Sequence, residues 1–305
     1  MVRIAHFTGR NLLDADSQLK YLSELHQGKH AHMEVRSYIP HLSLQAFVLQ
    51  LATVKVVLPE GEVTTPYPPT PFQSLMFYCN DPVSMSREYR GEFRQQPVSV
   101  VLGPQVSRVN IRVHGRLNAI RVDFLPGGLH RLLGIPMWEL LDEGLDAADV
   151  FGAGMRDLNE QLRNTADLGQ GKVLVEAFLL KQLSGMKDRL PLDAALEVLL
   201  KHNGQLSINT TASLACLSLK QFERKCRERL GMNPKFYARI LRFSKAYRLR
   251  EAFPGRGWAS IACEAGYYDQ MHMIRDFRAF AGENPGIVEQ QLSVTPIRMQ
   301  RDLPG

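Results

Sequence analysis

Between residues 206 and 250 the chain carries eleven basic side chains, Lys220, Arg224, Lys225, Arg227, Arg229, Lys235, Arg239, Arg242, Lys245, Arg248 and Arg250, against the acidic Glu223 and Glu228. Residues 1–190 balance 20 basic side chains with 20 acidic ones, so the net charge of +6 is carried entirely by the remainder. A clustered positive field of this kind attracts phosphates. Arginine can also take guanine through two hydrogen bonds, and glutamine can take adenine, where a helix presents them to base edges. Charge alone fits a merely solvated face equally well; spacing has to decide.

Spacing does so through an internal repeat. Arg224 is followed by Gly231-Met232-Asn233-Pro234, and 51 residues later Arg275 is followed by Gly282-Glu283-Asn284-Pro285, so both units read Arg-x6-Gly-x-Asn-Pro. From Leu192 onward apolar residues recur at helical spacing, which predicts helices over Asp193–Lys201, Ile208–Ala215, Leu219–Arg229, Pro234–Ala252, Trp258–Ala265, Gln270–Phe280 and Pro285–Leu292. Ser207, Ser218 and Asp269 suit N-caps, and Gly231 and Gly282 suit left-handed helix stops. The repeated block is therefore a short helix, a turn, a basic helix, a glycine stop and a proline-started helix. Two helix-turn-helix units account for it economically, each offering one helix to a major groove.

Helical phase then sorts the side chains. In the first unit Leu219, Phe222 and Cys226 should face the core, leaving Lys220, Glu223, Arg224 and Arg227 outward. In the second, Met273, Ile274 and Phe277 form the buried stripe, leaving Gln270, Met271, His272, Arg275 and Arg278 available. Pro234–Ala252, at about 1.5 Å per residue, would act as a spacer of nearly 30 Å. Lys235, Arg239, Arg242 and Arg248 along it would line phosphates, a positioning role.

The stretch from Trp258 to Pro285 resembles the second helix-turn-helix of the AraC/XylS family of bacterial regulators. Ile261-Ala262, the turn Gly266-Tyr267, and Asp269, Gln270, His272, Arg275 and Phe277 carry the likeness, which extends over about residues 191–292. It implies that Gln270, Met271, His272 and Arg275 face double-stranded DNA, with Arg275 reading a base, and that the protein recruits RNA polymerase as an activator. Carried to the first unit, the resemblance implies contacts by Lys220, Glu223 and Arg224. That unit departs from the family at Cys216, where a turn glycine is common, and at Cys226, where phenylalanine is common. A non-glycine residue in a left-handed turn costs ~1–2 kcal/mol, so the first turn is expected to be built differently.

The front half has another grammar. Ala46–Leu58, Gln73–Tyr78, Val98–Leu102, Val106–Val113 and Leu117–Phe124 read as antiparallel strands between Pro, Gly and Asn breaks, and Tyr67-Pro68-Pro69-Thr70-Pro71 as a stiff connection. After Phe124-Leu125-Pro126-Gly127-Gly128 the period turns helical. The fold class is thus α+β, with a β-rich domain over residues 1–165, a helical linker over 166–190, an all-α double helix-turn-helix domain over 191–295 and a tail over 296–305. Tyr67–Phe72, Val101–Pro104 and Phe124–Gly128 are similar to an amino-terminal domain type of one subgroup of the family. By the same resemblance, a cupin-like or related domain that senses a small effector and forms a homodimer is implied. A front half serving only dimerisation or a protein partner stays open, as does, more remotely, an enzyme with a DNA-binding tail.

Other classes find little support. His30, His32 and Glu34 could lie on one strand face and chelate, but no third histidine has matching spacing, so no metal and no cofactor is expected. No phosphate loop, dinucleotide fingerprint or nucleophile elbow occurs, and no enzymatic activity is expected. Cys79, Cys216, Cys226 and Cys263 lack paired spacing, the amino terminus lacks an apolar leader core, and no apolar run spans a bilayer. A reducing cytoplasm without membrane association is the expected compartment.

Overall fold

Alternating apolar residues dominate the front half of the computed structural model, which describes residues 32–87, 91–165, 167–294 and 300. Its strands are β1 (His32–Tyr38), β2 (Val48–Tyr67), β3 (Ser74–Tyr78), β4 (Val83–Ser86), β5 (Arg94–Gln95), β6 (Ser99–Leu102), β7 (Val109–Phe124) and β8 (Gly144–Asp146). They form one antiparallel sheet in the order β1-β2-β7-β3-β6-β8, with β4 on the upper half of β7 and β5 on β4. The two runs expected at 106–113 and 117–124 join as the single strand β7. Strand β2 likewise passes through the Pro59–Gly61 break. Both bend together: the register shifts between Val57 and Glu62 opposite left-handed Gly115, and such a bulge curves a strand without ending it.

Period-two alternation gives the sheet two apolar faces. Leu75, Phe77, Ile120 and Val122 point to a core closed by helices α1 (Gly128–Leu133), α2 (Ala147–Phe151), α3 (Ala153–Arg163) and α4 (Leu168–Lys181), which bring in Leu129, Met155, Leu158, Val175 and Leu179. Their neighbours Val54, Val56, Val113, Leu117 and Ala119 point the other way. There the bent sheet partly encloses two adjoining cavities of about 80 and 70 Å³, both touched by Tyr67, Ser74, Tyr78 and Leu102. Of the candidate chelators, His30 lies outside the described residues and Glu34 accepts a hydrogen bond from Arg36 at 2.5 Å.

From Pro191 the chain is helical: α5 (Pro191–Lys201), α6 (Ile208–Leu214), α7 (Leu219–Leu230), α8 (Pro234–Ala252), α9 (Trp258–Glu264), α10 (Gln270–Phe280) and α11 (Pro285–Val294). Among the described residues, no helix is long and apolar enough to cross a membrane. Helix α8, read from sequence as a spacer, is a shared spine. Tyr237 and Leu241 enter a core with Leu196, Phe222 and Cys226. Ile240, Phe243, Ala246 and Tyr247 enter a second with Ile261, Met273 and Phe277. The two stripes lie on different sides of one helix, and this is why its sequence lacks a single apolar face.

Candidate nucleic-acid interface

Each basic helix starts at a cap. The Ser218 hydroxyl accepts from the Gln221 N–H at 3.4 Å while the Gln221 side chain accepts from the Ser218 N–H at 3.1 Å, a reciprocal capping box on α7. Asp269 accepts from the His272 N–H at 2.8 Å and from its ring Nδ1, also at 2.8 Å. The backbone hydrogen bond, foremost, holds the Asp269 carboxyl below its ordinary pKa, so the cap stays charged. Behind the caps, Phe222, Cys226 and Leu230 anchor α7, and Met273, Phe277 and Phe280 anchor α10. Leu219, expected in the first stripe, is 42% exposed, because as the first residue of α7 it lies beyond the turn that covers the core. Ile274 is half-buried.

The outward faces gather the charge. Lys220, Glu223, Arg224 and Arg227 border one open cleft of about 670 Å³ beside α7, together with Asn233 and Phe236 of the next turn and Val106 and Leu141 of the sheet domain. On α10, Gln270, Met271, His272, Arg275 and Arg278 are all exposed. Among the described residues, the side chains of Lys220, Arg224, Arg227, Lys235, Gln270, Arg275 and Arg278 make no hydrogen bond or ion pair. Their donors are open to an incoming ligand. Tyr268, 94% exposed and edge-on to the His272 ring, belongs to this surface and escaped the sequence reading. Its signal was the doubled tyrosine after Gly266, where only one ring can turn inward.

Arg239 is placed differently. Its Nε and Nη2 donate to Asp276 Oδ1 at 3.0 and 2.8 Å, while the buried Tyr267 hydroxyl donates to the other carboxylate oxygen at 3.2 Å. Arg242 donates to the Gly204 carbonyl at 2.8 Å, and burial lowers the Arg248 guanidinium to about 10. Arg239 and Arg242 thus tie helices together, although the Arg239 side chain stays 40% exposed, and Arg248 is half-buried. Of the four basic residues proposed along α8, Lys235 is the most open to solvent.

The two turns superimpose in kind. Gly266 has φ +82°, and Cys216 at the corresponding place has φ +55°. The first turn therefore keeps the left-handed geometry and carries the steric cost of a Cβ. Cys216→Gly should raise stability by about 1 kcal/mol, the strain relieved less the extra freedom of glycine in the unfolded chain. Chemical denaturation of the two proteins checks this.

A profile described as a helix-turn-helix domain matches residues 211–291, which span both turns. A second, described as a domain of unknown function (DUF6597), matches residues 36–146. An uncharacterized HTH-type transcriptional regulator of Haemophilus influenzae is 23% identical over 181 residues, covering 58% of this chain and 60% of that protein. The chain thus spans about three-fifths of the length of that relative. Among solved structures, ToxT of Vibrio cholerae aligns over 87% of this chain and 98% of its own at 10% identity, with a TM-score of 0.44. An unsaturated fatty acid bound form of ToxT aligns over 85% and 94% at 12% identity, with a TM-score of 0.42.

Proposed function

We propose that the chain is a helix-turn-helix regulator of the AraC type, as its matches to a helix-turn-helix domain and to an HTH-type regulator support, and that it reads a specific DNA sequence through α7 and α10 and so regulates transcription, as an activator that engages RNA polymerase. One observation carries the reading: two capped helices of the same repeat present Lys220, Arg224 and Arg227, and Gln270, Arg275 and Arg278, with no internal partner among the described residues. Unpaired guanidiniums on a helix face are donors for guanine edges and phosphates. A division of labour accompanies this, with residues 1–165 sensing, 166–190 linking and 191–295 binding DNA. In the sensing part, the two small cavities beneath the bent sheet would take a compact, mostly apolar effector. Ser74, Arg121 and Tyr67 would meet its polar end, the Tyr67 phenol being pushed by burial to about 12 and so remaining a donor.

Selection of genomic fragments with the purified protein, followed by footprinting of the best, tests the proposal. Two protected major-groove segments on one DNA face are expected, and sequence-blind coverage would refute it. Arg275→Ala should weaken the selected site by ~1–3 kcal/mol and relax one base position. Lys235→Ala should weaken all sequences alike and reduce the salt slope by about one. Titrations on selected and random duplexes at two salt concentrations separate the two behaviours, and equal losses for Arg275→Ala on both duplexes would remove its base-reading role.

A second reading, in which the front half is a dimerisation or protein-partner module without a small ligand, is favoured by Ile39, Leu42 and Val173. They are 83%, 78% and 58% exposed, on a loop and helix α4 that are joined by the His41 N–H donating to Glu176. Thermal-shift screening without any stabilising compound, alongside concentration-dependent self-association, would select it over the effector reading.

A further inference from the structure

The two glycine stops of the repeat, Gly231 and Gly282, belong to different helix-turn-helix units, yet one loop of the sheet domain reaches both. This is the Gly103–Arg108 segment between β6 and β7. At Gly231, whose φ is +76°, a Cβ would lie 2.8 Å from both the Pro104 ring and the Met137 carbonyl oxygen. Backbone meets backbone there, without room for a side chain. Next along the loop, Val106 packs against the core of the second unit. Arg108 then donates from Nη1 to the Ala281 carbonyl at 3.0 Å, where α10 ends. A cation at the carboxy-terminal end of a helix is also favoured by the helix dipole.

The loop has no regular secondary structure but is stiffly held. Asp142 accepts from the Val106 N–H at 2.8 Å, the Ser107 N–H at 3.2 Å and the Ser107 hydroxyl at 2.8 Å. The Gln105 amide donates to the Tyr67 and Ser107 carbonyls. Asp142 itself sits at φ +56°, a left-handed conformation that Asp adopts more readily than most L residues. All three hydrogen bonds of its carboxylate go to this one loop, which fixes the loop's shape.

From these contacts we infer that the Gly103–Arg108 loop is a wedge fixing the angle between the two recognition helices, with Arg108 and Val106 as positioning residues for DNA reading. Helices α7 and α10 converge at their carboxy-terminal ends on this loop, so a small rotation there moves their base-facing amino-terminal ends apart. The inference rests on the proposed DNA-reading function and adds the element that sets its geometry.

The test is a spacing series. The selected site is synthesised with zero, one or two base pairs inserted between its two protected segments, and affinity is measured for the full-length protein and its variants. For the wild type each insertion should cost about tenfold or more, since added rise and twist carry one segment away from a rigid reader. Arg108→Ala should shrink that penalty to about threefold or less while remaining folded, and Arg108→Lys, which can still donate to the Ala281 carbonyl, should restore most of it. A folded Arg108→Ala protein with the wild-type spacing penalty overturns the wedge. Should Arg108→Ala prove unfolded, Val106→Ala carries the same expectation and the same refutation. A wild type that protects no pair of segments defeats the DNA-reading proposal itself, and the wedge with it, a result distinct from failure of the variants.

Discussion

Asp193→Ala is expected to destabilise the protein by roughly 3–5 kcal/mol, the cost of leaving a buried cation without its counter-ion. Asp193 and Arg229 are 2% and 4% exposed, and Arg229 Nε lies 3.4 Å from Asp193 Oδ1. That separation makes an ion pair without the alignment of a hydrogen bond, so the attraction is Coulombic and the guanidinium depends on it. The other Asp193 oxygen accepts from the Leu190 N–H at 2.8 Å, capping α5. Around the pair three segments meet: α5, α7 and Gly127 of the sheet domain, where a Cβ would come within 2.8 Å of Asp193 Oδ1. Asp193→Asn should cost less, because the amide oxygen can still accept the cap. Replacing both partners by apolar residues, as in Asp193→Leu with Arg229→Met, should recover most of the loss, since burying a pair of charges is itself costly. Urea denaturation of the four proteins checks the order. A double variant no more stable than Asp193→Ala would show that packing, not the stranded charge, sets the effect.

Phe277→Ala should cost about 3–5 kcal/mol as well, by loss of a fully buried ring and the cavity left behind. The Phe277 ring lies 5.0 Å from Phe243, 5.2 Å from Trp258 and 6.4 Å from Tyr247, the first two edge-on. These are geometries that add attraction beyond burial. It also holds the strand of contacts by which α8, α9 and α10 form the second unit. The expected footprint of the variant is therefore asymmetric: protection by α7 persists while protection by α10 fades. A footprint that weakens evenly over both segments would mean that the two units lose their structure together.

Much of the carboxy-terminal third was legible because its signals are local. Ser207, Ser218 and Asp269 cap the helices they precede, and Gly231 and Gly282 take the left-handed stop. A cap acts within three or four residues, well inside a sequence window. The strands were less legible. Gly61 and Gly115 look like chain breaks, but they face one another across the bend of β2 and β7, and only the pairing turns two apparent ends into one curve. Arg239 shows the same limit in the site. Helical phase puts it outward, and nothing nearby announces that Asp276, 37 residues on, will take its charge. Arg108 and Val106 were invisible as site-builders, since their partners lie beyond residue 230 and no pattern joins them.

The buried spine α8 bears on how the protein comes apart. Tyr237 and Leu241 serve one core and Phe243 and Tyr247 the other, so each core borrows a wall that the other also needs. Neither half is a module that can be cut free. A chain shortened after Ala252 would leave the apolar stripe of Ile240, Phe243 and Tyr247 facing water, a surface that invites aggregation. In native-state hydrogen exchange, the amides of α8 should be the slowest of this region and exchange only when both cores open, while α6 and α9, each committed to a single core, exchange earlier. The two copies of the repeat thus keep separate cores but share one helix that belongs to neither.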